Sequence, residues 1–421
     1  MTYSHSPSEL DRADLVRVFG KIGLMSFGGP AAQIALMHRA LVEERDWLTE
    51  DQFLRALSFC MMLPGPEAMQ LATYAGWRLR GITGGLIGGL LFVLPGALVI
   101  ACLAVIYAQY GAQPETATLL LGVKACVIVI VAMALFKLSK KALKTPTAWV
   151  IAGLSFFGIF ALGLPFPVII ALAAIWGATH ATPEGQHQPA TVKNTPATTL
   201  MIWAGLWLAP LPILWLSGQK LLFSLGVFFA KLAVVTFGGA YAVLAYMSQE
   251  VVQARGWLST TQMVDALGLA ETTPGPLILV TQFVGMLTGH AQGGVAMAMA
   301  AGLLTLWVTF IPCFLWIFAG APHVENLLAR PRLHAALQAI TAAVVGVILN
   351  LSIWFTLHVL FSSIDMVAPG PISFPLPDLR SVQLQVIPLI ALAAVLLGPL
   401  KRGVLLTLGL CAGLSWLMPL F

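Results

Sequence analysis

Residues 82–108 contain no charged side chain, and the segment is long enough to cross the hydrocarbon core of a bilayer as one helix. Further apolar stretches lie at 117–138, 147–163, 166–179, 292–320, 334–360, 385–400 and 403–420. Only 9% of the residues are charged, whereas an average soluble domain has about 25%. The chain therefore has too few polar residues to cover a soluble surface. We expect an all-α polytopic membrane protein.

Several other classes of protein are disfavoured by the sequence. The five cysteines lie in apolar stretches, without a CxxC pair or a histidine at ligand spacing, so we expect neither disulfides nor a metal site. No Walker A motif, phosphorylation motif or cofactor signature is present, so we expect no cofactor and no direct use of ATP. The net charge of +5 is explained either by basic residues that orient the chain in the membrane or by an anionic cargo. The chain has no basic run interleaved with aromatic residues, so we expect no nucleic-acid partner.

One module occurs twice in the chain. The sequence FGKIGLMSFGGPAAQIALM at 19–37 matches FAKLAVVTFGGAYAVLAYM at 229–247 with an offset of 210, and PGP at 64–66 recurs at 274–276 with the same offset. A registry of this length indicates an internal duplication. The predicted organisation is a first repeat at 1–180, a polar linker with one additional transmembrane helix at 181–220, and a second repeat at 221–421.

The distribution of basic residues indicates that the second copy is inverted in the membrane. In the first copy Arg78 and Arg80 precede an apolar hairpin and four lysines follow it, so both ends of that hairpin are expected to be cytoplasmic. In the second copy Arg330 and Arg332 lie instead in the loop that links the two apolar stretches. One additional crossing between the copies would produce this reversal. Inverted repeats are typical of secondary transporters, whose binding site lies near the midplane at the repeat interface.

The least regular apolar segments of each copy are those that hold FGG and PGP. A proline lacks its own N–H and clashes with the preceding turn, so Pro64 and Pro66 are expected to end one half-helix and begin another. Gly65 lets the backbone turn between them. The first N–H groups of a helix carry partial positive charge and attract anions. We therefore predict broken or re-entrant helices whose ends bind a dianion; the alternative is ordinary kinking and packing of transmembrane helices.

The predicted substrate-binding residues are those of the motifs and their polar neighbours: Gly28, Gly29, Pro30, Pro64, Gly65, Pro66, Gln70, Gly238, Gly239, Pro274, Gly275, Pro276, Gln282, Lys21 and Lys231. The two lysines each precede FGG by six residues, and an ionisable group at that depth is a functional candidate by default. The alternative for them is snorkelling to the lipid headgroups. Glu67 and Glu271, which flank the two PGP motifs at different positions, are proton-coupling candidates or else hydrogen-bonded structural acids.

The motifs FGGPAAQIALM, LPGPEAMQLATYAGWRLRG, GGLLFVLPGAL and ALGLAETTPGPLILVTQFVGM, with the second FGG, resemble the chromate ion transporter family in its long, two-domain form. The resemblance runs from Phe19 to Gly346. It implies a carrier of the bacterial inner membrane that exports chromate and confers resistance, with sulfate as a competing anion. The residues that fall on the family pattern are Gly28, Gly29, Pro30, Pro64, Gly65, Pro66, Gln70, Gly238, Gly239, Pro274, Gly275 and Pro276. The second copy departs from the first at Ala240, where the first has Pro30.

The residues alone indicate an anion carrier with inverted repeats, and the resemblance identifies the anion. We expect a non-enzymatic, multi-pass secondary transporter that exports chromate and contacts sulfate and membrane lipids, with a homodimer as one possible assembly and no nucleic-acid partner. Uniport and proton-coupled exchange are both open. The rival interpretations are an importer or exchanger of sulfate or another oxyanion, an anion channel, and a membrane enzyme that uses Glu67 or Glu271.

Overall fold

The fold is mainly α-helical. The computed structural model describes residues 11–181 and 197–418, apart from residues 238, 325, 326, 328, 329, 369 and 371–373. Its one hairpin pairs strand β1 (Ile364–Val367) with β2 (Phe374–Pro377) in antiparallel register. The predicted all-α membrane class is confirmed.

The helices, in chain order, are α1 (Arg12–Met25), α2 (Gly29–His38), α3 (Glu50–Cys60), α4 (Glu67–Tyr110), α5 (Pro114–Ala142), α6 (Pro146–Phe160), α7 (Phe166–Thr179), α8 (Ala197–Leu208), α9 (Pro210–Leu216), α10 (Lys220–Val235), α11 (Ala240–Ser248), α12 (Thr260–Glu271), α13 (Val280–Gly320), α14 (Pro331–Leu360), α15 (Val386–Leu397) and α16 (Val404–Leu417). Proline marks the start of α5, α6 and α14, because its fixed φ suits the first turn and its missing N–H is not needed there.

Five helical segments of the described chain are long and apolar enough to cross a membrane: Glu67–Tyr110, Pro114–Ala142, Ala197–Leu216, Leu277–His323 and Pro331–Leu360. The third of these contains α8 and α9 and corresponds to the additional crossing predicted between the copies. Helices α6, α7, α15 and α16 are apolar but shorter. With its apolar helices, the chain is a multi-pass membrane protein.

A first compact unit is formed by the described residues of Met1–Val105, Glu184–Ala240 and Thr273–Arg330. In this unit α13 packs against α8 and α10. The indole N–H of Trp207 on α8 donates to the carbonyl of Val308 at 2.9 Å, and that of Trp307 on α13 donates to the carbonyl of Leu206 at 2.8 Å. These two bonds attach α8 to α13 within the unit.

A second compact unit is formed by the described residues of Ile106–Pro183, Tyr241–Thr272 and Pro331–Phe421. Here α14 packs against α5, α6 and α7, while α5 also packs against α15 and α16. A Cβ on Gly122 would lie 2.1 Å from the carbonyl oxygen of Cys411, and one on Gly346 would lie 2.1 Å from that of Ala152. Glycine at these crossings lets the helix backbones approach closely, as is common in membranes.

The two sequence copies share their local structure. The helix after FGG continues into a π-helical segment in each, Arg39–Glu43 in the first copy and Gln249–Ala254 in the second. The next helix begins with a capping box in both, with Thr49 as the cap of α3 and Ser259 as the cap of α12. Each compact unit, however, takes segments from both copies. The repeat boundaries and the inversion stay predictions.

Matching kinks interrupt the two longest helices. Gly81 in α4 has φ 59° and ψ −151°, and Gly294 in α13 has φ 65° and ψ −158°. This backbone region is essentially restricted to glycine. Each long helix therefore consists of two helices joined at a kink, and its N-terminal part follows the PGP motif.

Candidate functional site

The PGP motifs separate one helix from the next. In the first copy α3 ends at Cys60 and α4 begins at Glu67, and in the second copy α12 ends at Glu271 and a 3₁₀ turn begins at Leu277 before α13. The predicted helix breaks at PGP are therefore present. Pro66 and Pro276 lie directly before the new helical turn. The backbone of Pro276 is extended.

The central glycine of each PGP motif has a left-handed backbone. Gly65 has φ 120° and Gly275 has φ 86°, values that residues with a Cβ rarely adopt. A Cβ on Gly65 would also lie 2.8 Å from Nε2 of Gln70 and 3.2 Å from Sγ of Cys313. The conformation therefore favours glycine at this position, and a Cβ would also displace the Gln70 amide.

The FGG motifs form the second kind of helix break. Helix α1 ends at Met25 and α2 begins at Gly29, with Gly28 as a left-handed cap at φ 87° and Pro30 in the first turn. In the second copy Gly239 has φ 95° and α11 begins at Ala240. Gly238 lies outside the described residues.

The two copies exchange hydrogen bonds at these motifs. The amide of Gly65 donates to the carbonyl of Thr236 at 2.8 Å, and the amide of Gly275 donates to the carbonyl of Ser26 at 2.9 Å. Ser26 and Thr236 occupy the same position, directly before FGG, in the two copies. Each PGP motif is therefore bonded to the residue directly before the FGG motif of the other copy. The bonded motifs, which form this junction, all belong to the first compact unit.

Buried glutamines surround this junction. Nε2 of Gln70 donates to the carbonyl of Pro64 at 2.7 Å, and Nε2 of Gln282 donates to that of Ala97 at 3.0 Å. Gln33, which the sequence reasoning did not single out, donates from Nε2 to Ser26 at 3.2 Å and to Gly275 at 2.7 Å.

All three amide oxygens lack a hydrogen-bond partner in the described part of the chain: Gln33, Gln70 and Gln282. A buried acceptor without a partner costs about 1–3 kcal/mol. These oxygens are therefore suited to a water molecule or to a ligand that carries a proton. Gln33 and Gln70 donate to the backbone at the motifs, and all three glutamines present an acceptor without a partner among the described residues.

The four predicted ionisable residues differ in their exposure and in the compact unit to which they belong. Lys21 on α1 and Lys231 on α10 are exposed. Glu67, the first residue of α4, is half-buried and belongs to the first unit. Glu271, the last residue of α12, is only 7% exposed and belongs to the second unit, where the hydroxyl of Tyr241 donates to its Oε1 at 2.9 Å.

Two helices begin at the junction. The first N–H groups of a helix have no carbonyl partner within that helix, and α2 and α4 both begin at the junction. Such ends attract negative charge through their N–H groups and the helix dipole. Among the described residues, no group of three or more His, Cys, Asp or Glu side chains could hold a metal ion.

Comparison with known proteins identifies the family. The sequence model of the chromate transporter family matches residues 13–178 and 223–416. The chain belongs to the chromate transporter family. The stretch between the two matched ranges contains the predicted linker and additional crossing. A bacterial inner-membrane location follows from the family and from the apolar helices.

Some relatives in this family match most of this chain, and others match about half of it. A chromate transport protein of Pseudomonas aeruginosa is 32% identical, over 81% of this chain and 80% of its own length. A chromate transport protein of Cupriavidus metallidurans is 31% identical, over 82% of each chain. An uncharacterized transporter of Bacillus subtilis, YwrB, is 30% identical over 40% of this chain but 86% of its own length, so it corresponds to about one copy. No solved structure matches the chain.

Proposed function

We propose that this member of the chromate transporter family is a secondary transporter that exports chromate from the cytoplasm and thereby confers resistance. Two full-length relatives are named as chromate transport proteins. The observation that carries the proposal is the reciprocal bonding of Gly65 and Gly275, which joins each PGP helix break to the FGG helix break of the other copy within one compact unit. Sulfate, which is also a tetrahedral dianion, is the expected competitor.

Helix ends would bind the cargo. Chromate offers oxygen acceptors in several directions, which suits N–H groups that come from more than one helix terminus. The proposed site residues are those predicted from the motifs. Pro66, which has no N–H, and Gly275, whose N–H is bonded to Ser26, would shape the helix ends, and the N–H groups of the turns that follow would face the anion. Gln33 is added as a residue that positions the motifs, because its Nε2 donates to the carbonyls of both Ser26 and Gly275.

The membrane potential favours export of such a cargo. Moving a charge across a membrane potential is worth about 2.3 kcal/mol per 100 mV. A dianion that leaves a negative interior therefore gains about 4.6 kcal/mol at 100 mV. Uniport is sufficient in principle, and Glu67 and Glu271 are proposed as the carriers if a proton is exchanged.

Transport by inside-out membrane vesicles tests this function. Chromate accumulation is expected to be saturable, to be inhibited by sulfate, and to exceed that of vesicles without the protein. Linear, non-saturable uptake would indicate a channel, and accumulation only by right-side-out vesicles would indicate an importer. Either result would overturn the proposal.

A further inference from the structure

An ion pair with little solvent exposure lies within the second compact unit. Nζ of Lys124 on α5 is 3.0 Å from Oδ1 of Asp265 on α12. The side chains of Lys124 and Asp265 are 13% and 5% exposed. By contrast, the side chains of the ion pair Arg55–Asp51 are 55% and 67% exposed.

The surroundings of the pair are specific. The hydroxyl of Tyr107 donates to Oδ2 of Asp265 at 2.6 Å, so the phenol and the ammonium engage different oxygens of one carboxylate. Gly268, three residues after Asp265, lies where a Cβ would be 3.2 Å from Cγ1 of Val123 and 3.9 Å from Cγ of Lys124. Helix α12 therefore approaches α5 along the aliphatic stem of Lys124.

Stability alone is a weak reason for such a pair. Exposed pairs contribute little, and for a buried pair the cost of removing both charges from water can exceed their attraction. Lys124 lies ten residues after the start of α5, which is about 15 Å along a helix that is long enough to span the membrane. Ionisable groups at such a depth usually mark a pathway or a relay.

We propose that Lys124 is a further oxyanion-binding residue, which Asp265 holds while no anion is present and releases when the anion arrives. Carboxylate and tetrahedral oxyanion compete for the same ammonium, and the dianion has the larger charge. Asp265 then retains the hydrogen bond from Tyr107, so its carboxylate is not left without a donor. This inference rests on the proposed function, because it takes the cargo to be a tetrahedral dianion.

A purely structural pair would behave differently. If Lys124 and Asp265 only brace α5 against α12, replacing both by neutral residues of similar shape removes the buried charges together, and anion transport is retained. If Lys124 binds the anion, that double replacement folds but loses affinity. The two interpretations therefore differ in the double variant.

The test compares Lys124→Gln, Asp265→Asn and the double variant Lys124→Gln/Asp265→Asn with the natural protein. In inside-out vesicles, Asp265→Asn is expected to lower the KM for chromate by about tenfold, because the side chain that competes for Lys124 is then neutral. The same variant is expected to lower kcat, because chromate leaves Lys124 more slowly. Lys124→Gln and the double variant are expected to raise the KM by about tenfold or more. The exposed pair provides the matched control: Arg55→Gln/Asp51→Asn is expected to leave the KM unchanged.

A second measurement separates misfolding from lost affinity. Thermal unfolding of the purified proteins in detergent is followed during titration with sulfate, since a ligand that binds the folded state raises Tm. The double variant is expected to unfold near the Tm of the natural protein without sulfate, and to need about tenfold more sulfate for the same rise. A double variant with natural KM and natural sulfate response would overturn the inference. Absence of saturable transport by the natural protein would instead overturn the proposed function.

Discussion

Gly65 and Gly275 each meet three requirements at one position. Both have a left-handed φ, both donate their amide to the other copy, and both have atoms close to the place of a Cβ. At Gly275 the nearest are Cδ1 of Leu279 at 3.1 Å and the carbonyl of Phe92 at 3.5 Å. A side chain at either position strains the backbone and displaces neighbours at the proposed anion site.

We predict that Gly65→Leu and Gly275→Leu each reduce chromate transport by tenfold or more, because a non-glycine residue at positive φ costs about 1–2 kcal/mol before any overlap is counted. Initial rates in vesicles, normalised to the amount of folded protein, measure the effect. Gly409→Leu on α16 is the matched control, because nothing lies within 4 Å of its Cβ position. Full transport by both variants would contradict the helix-end site.

At the scale of elements, the sequence predicted the parts that depend on neighbouring residues. The spans follow from continuous apolar stretches, and the helix breaks follow from two prolines around a glycine. The capping boxes were also accessible in principle, because Thr49 and Ser259 each precede a glutamine by three residues.

Contacts between distant segments were not predictable in the same way. Lys124 lies within the predicted span 117–138, but nothing local to it indicates Asp265 as its partner. Likewise, Gln33 lies within a recognised motif, yet its bond to Gly275 depends on how the two copies meet. Such pairings are set by packing rather than by periodicity or spacing.

The connection between α2 and α3 gives a prediction about pH. His38, outside the candidate spans, has Nε2 at 2.6 Å from Oε2 of Glu50 and Nδ1 at 3.1 Å from Oε1 of Glu43. The hydrogen bond to Glu50 raises the pKa of His38 above its ordinary value of 6.5. Because the folded pKa is the higher one, this contribution to stability is fully present below the unfolded pKa and is lost as pH rises through the folded pKa.

We therefore expect the natural protein to lose Tm relative to His38→Gln, which lacks the titrating ring, as pH rises from below 6.5 through the raised pKa of His38. Thermal unfolding in detergent across that range measures the difference. Parallel curves for the two proteins would show that the ring does not contribute. Since the side chains of Glu43 and Glu50 are largely exposed, raised salt is expected to reduce the effect.

For the whole molecule, the predicted inversion of the second copy bears on the proposed transport mechanism. Inverted repeats would allow one set of helices to move against the other around a fixed site. The compact units draw on both copies, so neither copy forms a unit alone. The direction of each copy in the membrane is the property that this mechanism requires.

Topology reporters test that direction. A reporter fused after Lys144, which follows basic residues of the first copy, is expected on the cytoplasmic side. One fused after Phe361, at the corresponding place of the second copy, is expected on the opposite side. A reporter that is active only in the cytoplasm and one that is active only outside it give independent readings. The same side for both positions would rule out the inversion.

The exchanged amide bonds also bear on ancestry. Gly65 depends on an acceptor in the second copy and Gly275 on one in the first. A polypeptide with a single copy would need a second subunit to supply the acceptor, and that subunit would need the first in return. Fusion of two copies replaces this assembly step by a covalent linker and lets the two halves diverge, as the differing residues Pro30 and Ala240 already do.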